Sequence, residues 1–451
     1  MKTGFWFAIV SLAVALAAGW FALGRLEGKA PRVSAPNEIV LGQAPQQIEI
    51  ELEDPESGIR SVSARLLHQG GSRSLMQEAY PGDLIRGAET SQRKTRLVLE
   101  FDAATASAPD GDATLVLQVR DWSWQDGLSG NRAEVSIPVV IDTRPPEVKV
   151  ESGITYVHRG GSAAAVYRVS EPVAVDGVRV GESFFPGYPH PSGDAQRRIA
   201  IFGVPVEAPT GASIEVMARD RAGNEGTSPF PAKVLERVFR KSRIEITEDF
   251  ANRVAAPLAQ QAGLEVEEPA ETFRRVNEEL RARSEIIIRE SLVASNQAEQ
   301  RWEGAFKQLR GSQVTSRFAE DRSYVMGGVP ISRARHYGFD LASVARAPIT
   351  AAAAGVVAYA GDLGIYGGCV IIDHGLGVAS LYGHLSEIDV SRGEDVRTGQ
   401  SLGRSGSTGL AGGDHLHFAI LVGDDYVDPL EWWDPKWLRS HIGVRLENSK
   451  P

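Results

Sequence analysis

The stretch Gly412-Gly413-Asp414-His415-Leu416-His417-Phe418-Ala419-Ile420-Leu421 decides how the chain is read. Two glycines halt whatever precedes it, and polar and apolar residues then alternate. Side chains alternate faces along a strand. His415, His417 and Ala419 are therefore expected on one face, and Leu416, Phe418 and Ile420 on the other, in a core. Two imidazoles would stand side by side in front of an apolar anchor. A lone His-x-His is usually just a half-buried strand with two polar residues, so its meaning depends on the rest of the chain.

Six of the nine histidines (His336, His374, His384, His415, His417, His441) fall after residue 335. His336-Tyr337-Gly338-Phe339-Asp340 places a histidine and an aspartate four apart, on one face of either a helix or a strand. Gly338 and the upstream Gly327-Gly328-Val329-Pro330 favour the extended form. A second histidine from a distant strand would complete a nitrogen, oxygen, nitrogen set. Three protein ligands of that kind, with a fourth position open to water, suit a catalytic zinc; calcium or magnesium would take mostly oxygen. The single cysteine, Cys369, excludes an intrachain disulfide and a multi-cysteine zinc site. It lies in Cys369-Val370-Ile371-Ile372 and reads as a small buried hydrophobe. No His-Glu-x-x-His occurs, so a helix-borne glutamate base is missing and histidine is the available proton carrier.

The remaining chain is long enough for about three domains. Its 24% charged and 42% hydrophobic residues are those of a globular protein, and a net charge of -10 with no basic block excludes nucleic-acid partners. The run Gly4 to Leu23 carries no charge and is long enough to cross a bilayer, which predicts a membrane anchor over a cleaved signal peptide within residues 1–29. Residues 30–143 and 144–240 have β texture, with Ile48-Glu49-Ile50-Glu51-Leu52 alternating at period two. An internal echo joins them: Asp121 followed by Gly130-Asn131, and Asp220 followed by Gly223-Asn224. Two β-sandwiches resembling the Ig-like modules of bacterial surface proteins are expected, as spacers. Residues 241–312 read as a helical linker, with Phe273, Val276, Leu280 and Ile287 near heptad spacing and Trp302, Phe306 and Leu309 continuing the pattern. Packing against a neighbouring domain explains such a stripe; its place just upstream of the histidines also suggests a gate over a catalytic groove. Residues 313–435 are β-rich and glycine-punctuated, and 436–451 form a tail. The fold class is thus multidomain and mainly β, with an N-terminal transmembrane helix and an all-β C-terminal domain.

His336-Tyr337-Gly338-Phe339-Asp340, Ile372-Asp373-His374-Gly375, Ser380-Leu381-Tyr382-Gly383-His384-Leu385, Gly399-Gln400 and His415-Leu416-His417-Phe418 together resemble the lysostaphin/LytM-type zinc metallopeptidases, in that family's order and approximate spacing. The resemblance covers residues 313–432. It implies one zinc ion held by His336, Asp340 and His417. His415 would act as general base or acid, and His384 would stabilise the transition state. It further implies a peptidoglycan endopeptidase acting on stem or cross-link peptides, as a single-pass membrane protein with a periplasmic or extracytoplasmic catalytic domain. The β modules could meet wall or divisome proteins. Family members often have proline where Asp414 stands; Asp414 could orient an imidazole, though a turn residue at the strand entry is the plainer reading. Two alternatives remain: a non-hydrolytic wall-binding or amidase-activating module, and a zinc protease acting on proteins. Of the other histidines, His374 is expected in a turn. Tyr366, Tyr382 and Ser407 to Leu410 are candidate groove walls.

Overall fold

The computed structural model describes residues 2–89, 92–209 and 211–447, without the side chains of 2–5, 7, 8 and 24. It forms two compact units, Met1–Pro146 with Arg219–Glu225, and Glu147–Ala218 with Gly226–Pro451.

The first unit opens on the helix Lys2–Arg25. Its described apolar side chains, among them Trp6, Leu12, Leu16 and Trp20, are exposed. Among the described residues, however, no helix is long and apolar enough to cross a membrane, so the expected span gains no support there. Beyond the helix, a three-stranded and a five-stranded sheet enclose a core. The period-two reading holds: Ile48, Ile50 and Leu52 are buried between exposed Glu49, Glu51 and Glu53, opposite Leu99, Leu97 and Thr95 of the neighbouring strand. The assignment of residues 30–143 and 144–240 to two Ig-like sandwiches rests on the sequence alone. The internal echo is physical. Asp121 accepts the Asn131 amide N–H at 2.7 Å and its Nδ2 at 2.9 Å; Asp220 accepts the same two groups of Asn224 at 2.9 and 2.8 Å.

In the second unit, the sheets of residues 148–235 share one continuous core with the rest of the unit. Glu431 accepts the Ser162 amide N–H at 2.7 Å, and the Trp432 indole donates to Ser162 Oγ at 3.1 Å. Trp432 is fully buried.

The segment read as a helical linker from residue 241 begins instead as a strand. Lys241–Glu245 pairs in parallel with Glu320–Met326. Helical residues run from 248 to 262 and from 269 to 295, with π-helical turns at Ala251–Ala255 and Val276–Leu280. The second π turn moves the apolar stripe. Phe273, Val276 and Leu280 are buried as expected, but Ile288 replaces the exposed Ile287, because the wider turn shifts the downstream helix face by about one residue. Residues 297–312 are not helical. Trp302 and Phe306 reach the core from irregular chain and pack edge-on against Trp432.

The C-terminal domain is built on a sheet in which Leu416–Val422 lies between Phe339–Ala342 and Val378–Leu385. A strand flanked on both sides must satisfy its backbone in the sheet. Here it is also covered on both faces, all seven residues being buried. The expected half-buried strand with one polar face is corrected accordingly. His374 is likewise no turn residue. It sits in Gly368–Gly375, fully buried, with Nδ1 2.8 Å from the Ala354 carbonyl and Nε2 2.7 Å from Ser380 Oγ. Burial pushes it down to about 4.

Candidate metal and catalytic site

Strand register assembles the site. His417 lies directly across from Asp340 on one neighbouring strand and from Gly383 on the other. His336 ends the strand Val329–His336, and the chain bends at Gly338 into Phe339–Ala342 of another sheet, with the Asp340 carboxylate beside the His336 ring. Gly338 is required there: a Cβ on it would meet Cε1 and Nε2 of His417 at 2.7 Å. His384 holds a left-handed backbone, φ +63°, at the end of Val378–Leu385. For a residue with a Cβ that conformation is strained, and it turns the ring toward the other histidines, 4.7 Å from His415 between ring centres. His415 lies just outside the buried strand, joined to the fold by one bridge to Gly406.

The five residues expected from the sequence are thereby brought together. His336 Nε2, Asp340 Oδ1 and His417 Nδ1 form a triangle with sides of 2.9, 3.0 and 2.9 Å. His336 Nδ1 lies 3.1 Å from the Arg317 carbonyl, which can only accept. The proton of a neutral ring is therefore on Nδ1, and Nε2 offers a lone pair. Three electron-rich atoms this close need protons or a cation between them. Two imidazole nitrogens and a carboxylate oxygen are the donor set a zinc ion takes, and these three residues would hold one. His417 Nε2, by contrast, is buried and has no hydrogen-bond partner.

The electrostatics follow from this crowding. Burial alone would raise the Asp340 carboxyl, but the facing His336 and the hydrogen bonds from the surrounding imidazoles hold it well below the usual carboxylate range. Burial, with the neighbouring histidines, pushes His417 down to about 4 and His384 down to about 3. Burial opposes a charge on His415 too, yet Asp340, with Oδ1 3.6 Å from His415 Nε2, raises it above its ordinary value. Nδ1 of His384 and of His415 each sits 2.8 Å from a backbone carbonyl, Thr408 and Gly413 respectively. Both rings thus carry the Nδ1 proton and aim Nε2 at the site.

Some of the site was not legible beforehand. Arg322, from Glu320–Met326, donates Nη2 to Asp340 Oδ2 at 3.0 Å, leaving Oδ1 for the triangle. No motif marks Arg322; only the sheet brings it there. The five residues open into a cavity of about 400 Å³ whose far wall comes from outside the resemblance, with Ile246, Phe250 and Phe273 of the helical segment. Ile365, Tyr366 and Leu410 form the other wall. Tyr366 was expected there, whereas Tyr382 is a core residue packed edge-on against Phe418. Asp414 touches no imidazole: it accepts Ser405 Oγ at 2.6 Å and the Arg346 amide at 2.8 Å, the turn-residue reading.

Residues 334–429 match Peptidase family M23. The chain is 36% identical over 117 residues to the DD-carboxypeptidase/endopeptidase Mpg of Neisseria meningitidis, covering 26% of this chain and 27% of that one. It is 38% identical over 89 residues to the peptidoglycan DD-endopeptidase ShyA of Vibrio cholerae, covering 20% and 21%. The match thus spans about a quarter of the length of these relatives. Among solved structures, the catalytic domain of the antimicrobial peptidase lysostaphin from Staphylococcus simulans aligns at 28% identity and a TM-score of 0.24, over 28% of this chain and 96% of that one.

Proposed function

We propose, from the premise that residues 334–429 are a Peptidase family M23 domain of the lysostaphin/LytM type, that the chain is a zinc endopeptidase cutting peptide bonds in the stem or cross-link peptides of peptidoglycan. The observation that carries this is the convergence of His336 Nε2, Asp340 Oδ1 and His417 Nδ1, with two further imidazoles aimed into the same cavity.

Zinc held by those three atoms would polarise the scissile carbonyl and acidify a water. The surrounding residues account for the remaining work. Asp340 Oδ1, bound to a cation, would release His415, whose Nε2 then offers a lone pair to take the water's proton and later return it to the leaving amine. His384 presents a lone pair when neutral, so it donates to the developing oxyanion only after taking up a proton. Arg322 fixes the Asp340 carboxylate by holding its second oxygen. Ile246, Phe250 and Phe273 share the core of the catalytic unit or pack against it, so the helical segment acts as a fixed wall of the groove in preference to a gate.

On this reading the chain lies outside the cytoplasm, where peptidoglycan is; what supports attachment to the membrane there is the uncharged run from Gly4 to Leu23 in the sequence. The β modules serve as spacers, with wall or divisome proteins as partners. Purified muropeptides and an unstructured protein substrate, offered to the same preparation, separate the reading from its alternatives. Metal-dependent cleavage of the muropeptides alone is expected. Cleavage of the protein alone would make it a general zinc protease, and cleavage of neither a binding or regulatory module.

A further inference from the structure

The aspartate–asparagine clamp occurs twice in the chain, and one copy is crowded by acids. At Asp121, the carboxyl groups of Glu27 and Asp54 converge so that one oxygen from each of the three lies within 4.8 Å of the others. All are deeply buried, Glu27 at 7% exposure, Asp54 at 3% and Asp121 at 0%. They come from three separate places: just past the first helix, the turn after Gln46–Glu53, and the end of Gly111–Asp121.

Local hydrogen bonds satisfy only part of this group. Both oxygens of Asp121 have partners in Ser123 and Asn131, Oδ1 accepting two amide N–H groups and Oδ2 one side-chain donor, which leaves Oδ2 a further lone pair. Asp54 Oδ1 accepts the amides of Glu56 and Ser57 at 3.0 and 3.1 Å, but its Oδ2 has no partner. Neither oxygen of Glu27 has one, nor does the Ser57 hydroxyl, which is itself 1% exposed. The Ser57 hydroxyl and the Glu56 carboxyl approach Glu27 without reaching hydrogen-bond geometry. The buried Arg25 guanidinium donates to the carbonyls of Asp83, Leu84 and Trp122, and forms no ion pair with the three acids. Burying carboxylates is costly unless something positive accompanies them. Packing three together without a base compounds the cost.

We propose that Glu27, Asp54 and Asp121 bind a calcium ion. The donors are all oxygen, which suits a hard cation and disfavours zinc beside the nitrogen-containing triangle of the other unit. Calcium accepts six to eight oxygens in an adaptable arrangement, and carboxylates can bind it through one oxygen or two. The unpartnered oxygens of Glu27 and Asp54 are therefore its natural first ligands. Magnesium holds a stricter octahedron and keeps several waters, which carboxylates buried this deeply do not favour. The ion would tie the chain leaving the first helix to two points of the β-structure and so fix how the helix meets its sandwich.

The test uses the full chain in detergent, stripped of metal by chelator and dialysed. Terbium is the first probe, because Trp122 and Trp124 lie beside Asp121 in sequence and can sensitise its emission. Calcium titration calorimetry is the second. The expected result is one calcium per chain, with a Kd of roughly 10⁻³ M or tighter, the range reaching from extracellular modules downward. Calcium displaces the terbium signal, and magnesium at equal concentration does not. His417→Ala keeps this binding, while Glu27→Gln and Asp54→Asn each weaken it by roughly tenfold or more. The proposal is overturned if the wild-type chain binds no calcium at millimolar concentration, if magnesium competes equally, or if Glu27→Gln binds as the wild type does. The wild-type titration decides the matter even if a variant does not fold.

Discussion

Two buried carboxylate-containing clusters, one in each unit, meet opposite problems. In the catalytic unit, Asp340 is matched by imidazoles and by Arg322, so both carboxylate oxygens have a partner and the buried orphans are nitrogens, Nε2 of His417 and Nε of Arg322. In the first unit, Glu27 and Asp54 have orphan oxygens and no base. The mixed donor set can persist on shared protons until a metal arrives; in the all-oxygen set burial pushes the Glu27 carboxyl up to about 8, so there the stand-in is a proton on a carboxylate. Donor chemistry, more than acid count, therefore separates a zinc-type from a calcium-type site.

The largest effect expected in the catalytic cluster is at His417. His417→Ala should reduce hydrolysis of peptidoglycan to background and reduce bound zinc well below one per chain, as read by elemental analysis. Retention of zinc would remove His417 from the ligand set. His384→Ala should keep the metal yet lose roughly 10²–10³ in kcat, the usual cost of losing a transition-state donor. A parallel loss of zinc would show that His384 is a ligand.

A third prediction contrasts a histidine already satisfied by the core. The His374 pKa of about 4 lies below its unfolded value, so the unfolded state binds more protons between about pH 6.5 and 4. Stability should therefore be fully present above pH 6.5 and fall by about 3 kcal/mol as pH drops to 4. Urea titrations across that window check it, and His374→Gln should flatten the slope. The smallest effect is at Arg322. Arg322→Met frees Asp340 Oδ2 and should weaken zinc binding roughly 10–100-fold, as loss of an outer partner does. Unchanged affinity in competition with a chelator would make the Arg322–Asp340 pair merely structural.

The contrast also explains why some features were readable in the sequence and others were not. His336, Asp340, His384, His415 and His417 lie in short motifs whose spacing survives folding, because strand register carries i, i+2 and i+4 relations directly into space. The alternation of Ile48, Ile50 and Leu52 was readable for the same reason. Arg322 was not, since its meeting with Asp340 depends on the route of the chain between two sheets. Glu27, Asp54 and Asp121 were invisible for a similar reason: no spacing rule joins residues so far apart. The π turn at Val276–Leu280 displaced the apolar stripe by one residue, which a strict heptad cannot foresee. His374 was misjudged because Asp373-His374-Gly375 has the composition of a turn, while the sheet extends through it.

A metal-dependent hydrolase built on His336, Asp340 and His417 stands or falls on its products. The most direct test is mass spectrometry of the muropeptides released when the full chain is incubated with intact peptidoglycan, before chelation, after chelation, and after zinc is restored. New peptide-bond cleavage products are expected that vanish with chelator, return with zinc, and never appear with His417→Ala. An identical muropeptide profile in all four samples would contradict this assignment.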